Sequence, residues 1–188
     1  MLTLDNVYRA GNVLRDVVKK TDMVYAPKLN PGVDIYLKTE NLQITGSFKI
    51  RGSYYKMSRL SPEEKAKGVI ACSAGNHAQG VALAAQKNGI KSIICLPDNA
   101  PISKIEATKS YGAEICLVEG VYDDAYKKAL SLRDEFGYTF IHPFDDECNE
   151  ASSDDFGSQP SHWSAAEDDL LYLQPSRFLY RRTNYLPR

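Results

Sequence analysis

The chain has 188 residues, enough for one domain, or for one small domain with pieces of another. Its 43% hydrophobic and 25% charged content exclude an intrinsically disordered chain, and a net charge of -1 gives no basis for nucleic acid or an anionic membrane as partner. No run approaches the roughly 20 apolar residues of a bilayer span, no basic-then-apolar leader opens the chain, and Cys72, Cys95, Cys116 and Cys148 form no CxxC pair, so a cytoplasmic protein with reduced thiols is expected.

Val7, Ala10, Leu14, Val17 and Val18 recur at helical spacing and predict an amphipathic helix over 4–21. Pro27 and the Asn30-Pro31-Gly32 turn break that pattern, and Ile35-Tyr36-Leu37 centres a short strand over 34–39. A helix is predicted over 47–60. Ser61-Pro62-Glu63-Glu64 then opens another short one, with serine as N-cap and proline in the first turn. From there the chain alternates. Strands are predicted over 68–73, 91–96, 113–118 and 138–142, and helices over 76–88, 102–111 and 122–136. Each of these three helices is closed by a glycine, namely Gly89, Gly112 and Gly137. Apolar strands alternating with helices predict an α/β fold, a parallel sheet flanked by helices.

The character of the chain changes near Asp146–Cys148. Residues 1–147 hold 14 Lys and 5 Arg, whereas residues 148–188 hold no Lys, 4 Arg, and neither Ile nor Val. Without β-branched aliphatics the tail is not expected to supply central parallel strands. A poorly ordered tail is the expectation, with a short helix or collapsed patch over 169–172 and 177–185 as the alternative. A frameshift, fusion or gene-model error would leave such a junction, and translating the coding DNA in its other two frames tests that.

Two segments carry the chemistry. Lys49 sits in Thr45-Gly46-Ser47-Phe48-Lys49-Ile50-Arg51-Gly52. A lysine alone in a charged stretch reads as a solvated surface residue. Its small and apolar neighbours suit a dry pocket, where desolvation lowers an amine's pKa and frees it for imine formation. The second segment, Ser73-Ala74-Gly75-Asn76-His77-Ala78-Gln79-Gly80, turns from a strand into a helix. As a bare pattern it fits a tight packing turn as well as an anion loop, and it lacks the GxGxxG glycine spacing. His77 alone reads as a structural residue at a helix start.

With these segments in place, residues from about 4 to 147 resemble the N-terminal part of threonine dehydratases (threonine ammonia-lyases), which are fold-type II pyridoxal-phosphate enzymes. The matching stretches are Lys38-Thr39-Glu40-Asn41-Leu42-Gln43, Gly46–Gly52, Ser73–Gly80, Leu96-Pro97-Asp98-Asn99-Ala100-Pro101, Lys104-Ile105-Glu106-Ala107-Thr108, Tyr111-Gly112-Ala113-Glu114 and His142-Pro143-Phe144-Asp145-Asp146. The resemblance implies deamination of L-threonine and L-serine to a 2-oxo acid and ammonia with pyridoxal 5'-phosphate. It implies Lys49 as the Schiff-base lysine that also moves the α-proton, and Phe48 beside the cofactor ring. Asn76 would face the phenolic oxygen, and Ser73, Asn76 and His77 would hold the substrate carboxylate. No metal is implied.

Residues 1–45 would open the large domain, 46–147 would form the small α/β domain, and 148–188 would be an atypical tail. Serine racemases of this fold have a serine where this chain has Ala74, so elimination is favoured over racemisation. Racemisation, β-replacement, or a non-catalytic α/β fragment remain the alternatives. The family works in isoleucine biosynthesis or threonine catabolism, and its full-length members are expected to be homo-oligomers. It continues past Asp146 with a glycine-rich phosphate loop, a polar residue facing the pyridine nitrogen and, in some members, a regulatory domain. Gly157 and Ser158 do not make such a loop. The expectation is therefore an incomplete large domain and weak or no turnover from these 188 residues.

Overall fold

In the computed structural model the described residues are 3–30, 32 and 34–143, together with the backbone of strands at 170–173 and 178–181. Helix α1 (Leu4–Leu14) starts where the Thr3 hydroxyl accepts the Asn6 N–H, and it buries Val7, Ala10 and Leu14 along one stripe. It stops well short of residue 21. The Gln43 carboxamide accepts the Lys19 N–H and donates to the Lys19 carbonyl, both at 2.8 Å, so that backbone is taken away from the helix ladder.

A short strand not expected from the sequence, β1 (Met23–Tyr25), pairs antiparallel with β2 (Tyr36–Lys38). A single 3-10 turn, Glu40–Leu42, leads to α2 (Lys49–Ser58). In α3 (Pro62–Lys67), Ser61 is the N-cap and proline lies in the first turn, as the sequence predicts, and Ser61 and Glu64 also close a reciprocal capping box.

The remaining elements follow the predicted alternation: β3 (Val69–Cys72), α4 (Asn76–Asn88), β4 (Ser92–Pro97), α5 (Ile102–Ser110), β5 (Glu114–Val118), α6 (Tyr122–Phe136) and β6 (Thr139–Phe140). The four strands are parallel, in the order β5-β4-β3-β6. The α/β fold is thus the one expected. Gly89 and Gly137 close α4 and α6 at φ 65° and 72°, the left-handed geometry that a residue with a Cβ adopts only under strain.

Alternation along the strands divides the core into two layers. Val69, Ala71, Ile94 and Leu96 pack with Ile50 and Met57 of α2 and with Ala78, Val81, Ala82 and Ala85 of α4. Their neighbours Ile70, Cys72 and Cys95 face the other way, against Ala125 and Ala129 of α6. The sheet is therefore covered on both faces, as an all-parallel sheet requires.

Two segments of the tail are paired strands, β7 (Leu170–Leu173) and β8 (Phe178–Arg181), rather than the alternative helix or collapsed patch. They form an antiparallel ribbon that extends the first sheet in the order β1-β2-β8-β7, with Leu37 registered on Tyr180. Leucine and aromatic residues suit such short strands even without Ile or Val. Residues 148–169, 174–177 and 182–188, and Cys148 with them, lie outside the described residues. Among the described residues no helix is long and apolar enough to cross a membrane.

Candidate active site

The two segments singled out in the sequence meet where the C-terminal end of β3 passes into α4. Lys49 opens α2, its N–H donating to the Ser47 hydroxyl at 3.3 Å. Its ammonium lies 5.1 Å from the centre of the Phe48 ring and donates to the Pro143 carbonyl at 2.7 Å. Lys49 is half-buried, so the amine is neither sealed in nor free in solvent.

The sequence alone does not reveal what holds Lys49 in place. Two residues on, Arg51 forms a forked pair with Glu40: Nε reaches Oε2 at 3.1 Å and Nη2 reaches Oε1 at 2.9 Å. Both side chains are about 4% exposed, and Glu40 also accepts from the Thr21 hydroxyl. Lys38, equally buried, donates to the Thr21 carbonyl at 2.7 Å. A buried forked pair, with Glu40 also accepting from the Thr21 hydroxyl, ties the first turn of α2 to the 3-10 turn.

The facing wall is the start of α4. The Ser73 hydroxyl accepts the Gly75 N–H at 3.2 Å, which folds the loop back on itself. Gly75 is the N-cap, and no side chain caps the helix. The opening N–H groups of α4 therefore have no intrahelical acceptor and lie at the positive end of the helix dipole, a cradle for an anion. Asn76 accepts from Lys104 of α5 at 3.5 Å, a neighbour that sequence reading did not place in the site. Held by its oxygen, the Asn76 amide can present its NH2 outward.

His77 has a different place from the one its position in the loop suggested. Its ring is 5% exposed, and Nε2 lies 3.0 Å from the Ile141 carbonyl. Burial pushes its pKa down to about 4, and the nearby Lys49 and His142 charges push the same way, outweighing that hydrogen bond. At neutral pH the ring is uncharged, and Nε2 carries the proton because a carbonyl can only accept. Its imidazole is thus bound to β6's exit, so an anion at the loop would meet His77 through its backbone N–H.

Lys49 is thus close enough to His77 for its charge to act on that ring, with Phe48 beside Lys49 and Ser73 and Asn76 in the turn into α4. The neighbours that sequence reasoning missed are Glu40, Arg51, Lys104 and the carbonyls of Ile141 and Pro143. An amine, an aromatic face and an open helix N-terminus suit an aldehyde cofactor and a carboxylate-bearing substrate. That is the fit expected of a pyridoxal-phosphate site.

Comparison with known proteins agrees with this chemistry. A family model described as "Pyridoxal-phosphate dependent enzyme" matches residues 14–154. An L-threonine ammonia-lyase from Thermotoga maritima is 50% identical over 148 residues, which cover 78% of this chain and 37% of that protein. A catabolic L-threonine dehydratase from Staphylococcus aureus is 41% identical over 149 residues, again 78% of this chain and 43% of its own length. This chain thus spans about two fifths of those relatives. Among solved structures, maize serine racemase superposes with a TM-score of 0.78 at 30% identity, covering 83% of this chain and 48% of the racemase. The processed form of threonine deaminase isoform 2 from Solanum lycopersicum gives 0.75 at 38% identity, covering 82% of this chain and 45% of that one. By the extent of the family match and the site it contains, the chain belongs to the pyridoxal-phosphate dependent enzyme family.

Proposed function

We propose that this chain supplies the lysine-bearing part of a lyase that converts L-threonine, and L-serine, to a 2-oxo acid and ammonia. The observation that supports the reading is the Lys49 amine, set beside the Phe48 ring with its charge reaching His77 in the first turn of α4, a helix with no side-chain cap. Lys49 would hold the cofactor covalently, Phe48 would flank its ring, and the Asn76 amide would meet its phenolic oxygen. When bound, pyridoxal phosphate supplies the electron sink that makes an amino acid's α-proton removable.

The chain's own groups do the rest. The α4 N-terminus, with the Ser73 hydroxyl beside it, receives the substrate carboxylate. As the neutral amine, released from the Pro143 carbonyl, Lys49 Nζ would take the α-proton and pass it to the β-hydroxyl, which leaves as water. Hydrolysis of the resulting enamine by water then gives the 2-oxo acid and ammonia. The neutral His77 adds no competing cation. Ala74 carries no proton-transferring atom, which supports elimination over racemisation.

The test is reductive trapping. Purified chain incubated with pyridoxal phosphate and reduced with borohydride should carry the added mass on the peptide containing Lys49, and Lys49→Ala should abolish that label. Modification spread evenly over surface lysines would sink the reading. A parallel assay compares 2-oxobutanoate from L-threonine with D-serine from L-serine. Because the chain spans only two fifths of its relatives' length, turnover by these 188 residues alone should be weak or absent even where trapping is selective.

A further inference from the structure

Gly80 lies inside α4, fully helical, and its φ is not positive. Its glycine identity is therefore not needed for backbone conformation, and glycine in a helix interior is less stable than alanine. What the position requires is the absence of a Cβ. A Cβ there would stand 2.8 Å from the Lys49 carbonyl carbon, 3.0 Å from the Ile50 nitrogen and 3.0 Å from the Lys49 carbonyl oxygen. All three are backbone atoms, which cannot rotate away as a flexible side chain would. The other side of the same turn is held by the buried Arg51–Glu40 pair.

We propose that Gly80 is a positioning residue for Lys49: by letting α4 lie directly on the Lys49 backbone, it sets the reach of the amine toward the start of α4. The inference rests on the reading of Lys49 as the cofactor lysine and adds a residue that acts on it through the backbone. A methyl at residue 80 moves the two helices apart by a sizeable fraction of an ångström. Displacement on that scale is enough to lower a positioned reaction by roughly 10–100-fold.

The experiment compares wild type, Gly80→Ala and Ala84→Gly, the last a control that destabilises the same buried helix without adding an atom. Two readouts are taken: the rate of borohydride trapping of pyridoxal phosphate at Lys49, and the apparent pKa of Lys49 from competitive reductive methylation, which needs no cofactor. Trimethylamine N-oxide is present throughout, so that a marginal variant stays folded by circular dichroism. Gly80→Ala should lose roughly 10–100-fold in trapping rate and shift the Lys49 methylation profile, with Ala84→Gly matching wild type in both. Unselective trapping in wild type would defeat the cofactor-lysine reading itself. Selective wild-type trapping that Gly80→Ala reproduces, with an unshifted profile, would overturn the proposal alone. So would a Gly80→Ala chain that stays unfolded in osmolyte, since Gly80 would then hold the fold and not the amine.

Discussion

The two faces of the parallel sheet are built from the same kinds of residue and put to different uses. On one, α2 and α4 pack over Val69, Ala71, Ile94 and Leu96, with Lys49 opening α2 and Asn76 and His77 opening α4. On the other, α6 lays Ala125 and Ala129 over Ile70, Cys72 and Cys95. Cys72, Cys95 and Cys116 stand in register across β3, β4 and β5, so this face is nucleophilic by composition. It is not so by chemistry. Burial pushes the Cys72 thiol up to about 11 and the Cys95 thiol up to about 12, which keeps both protonated and inert. Reactivity here follows from burial: Lys49 is half-buried at the start of α2, whereas Cys72 and Cys95 are fully buried in the α6 layer, Cys72 against the Tyr122 carbonyl.

The comparison can be broken most forcefully at Glu40. Glu40→Ala removes the carboxylate on which the Arg51 guanidinium forks in a pocket where it is 4% exposed, and should cost about 3–5 kcal/mol in urea unfolding. Lys49 trapping should fall with it. A loss under about 1 kcal/mol would mean the pair does not anchor α2. A second, smaller effect is set by pH. His77 holds its pKa near 4 in the folded state against about 6.5 when unfolded, so only the unfolded chain binds the proton between those values. Its contribution is present above pH 6.5 and lost as pH falls toward 4, at about 1.4 kcal/mol per unit, or roughly 3 kcal/mol in all. In denaturant titrations across that window, His77→Gln should flatten this part of the slope; an unchanged slope would assign it to other groups. The smallest effect sharpens the contrast. Cys95→Ala, on the α6 face, should cost about 1 kcal/mol for the lost packing and leave Lys49 trapping at the wild-type rate. A drop in trapping would show that the two faces are coupled.

Much of this was legible in the sequence, for reasons that differ by residue. The bounds of α4 and α6 are those predicted, because a left-handed glycine closes each helix and leaves an unambiguous mark. Lys49 and the Ser73–Gly80 loop could be found because their residue types carry the chemistry. Partners that act through the backbone leave no such mark. Any residue can present the carbonyl that Pro143 offers Lys49, or the one that Ile141 offers His77. The Glu40–Arg51 pair lies between a 3-10 turn and a helix, outside any single helical period, so no pattern joins the two. Gln43, which holds the Lys19 backbone beyond the end of α1, is equally silent in sequence. Three residues, Met23–Tyr25, are too few for an alternation to declare β1.

The bond between Lys49 and the Pro143 carbonyl spans 94 positions, and that between His77 and Ile141 spans 64. A ribosome adding about 5–20 residues per second makes the amine roughly 5–20 s before the carbonyl that receives it. Until β6 has left the exit tunnel and aligned beside β3, a nascent chain holds Lys49 without its Pro143 acceptor and His77 without its Ile141 one. The amine therefore spends its first seconds as an ordinary solvated lysine and acquires its special environment only near the close of the domain's synthesis.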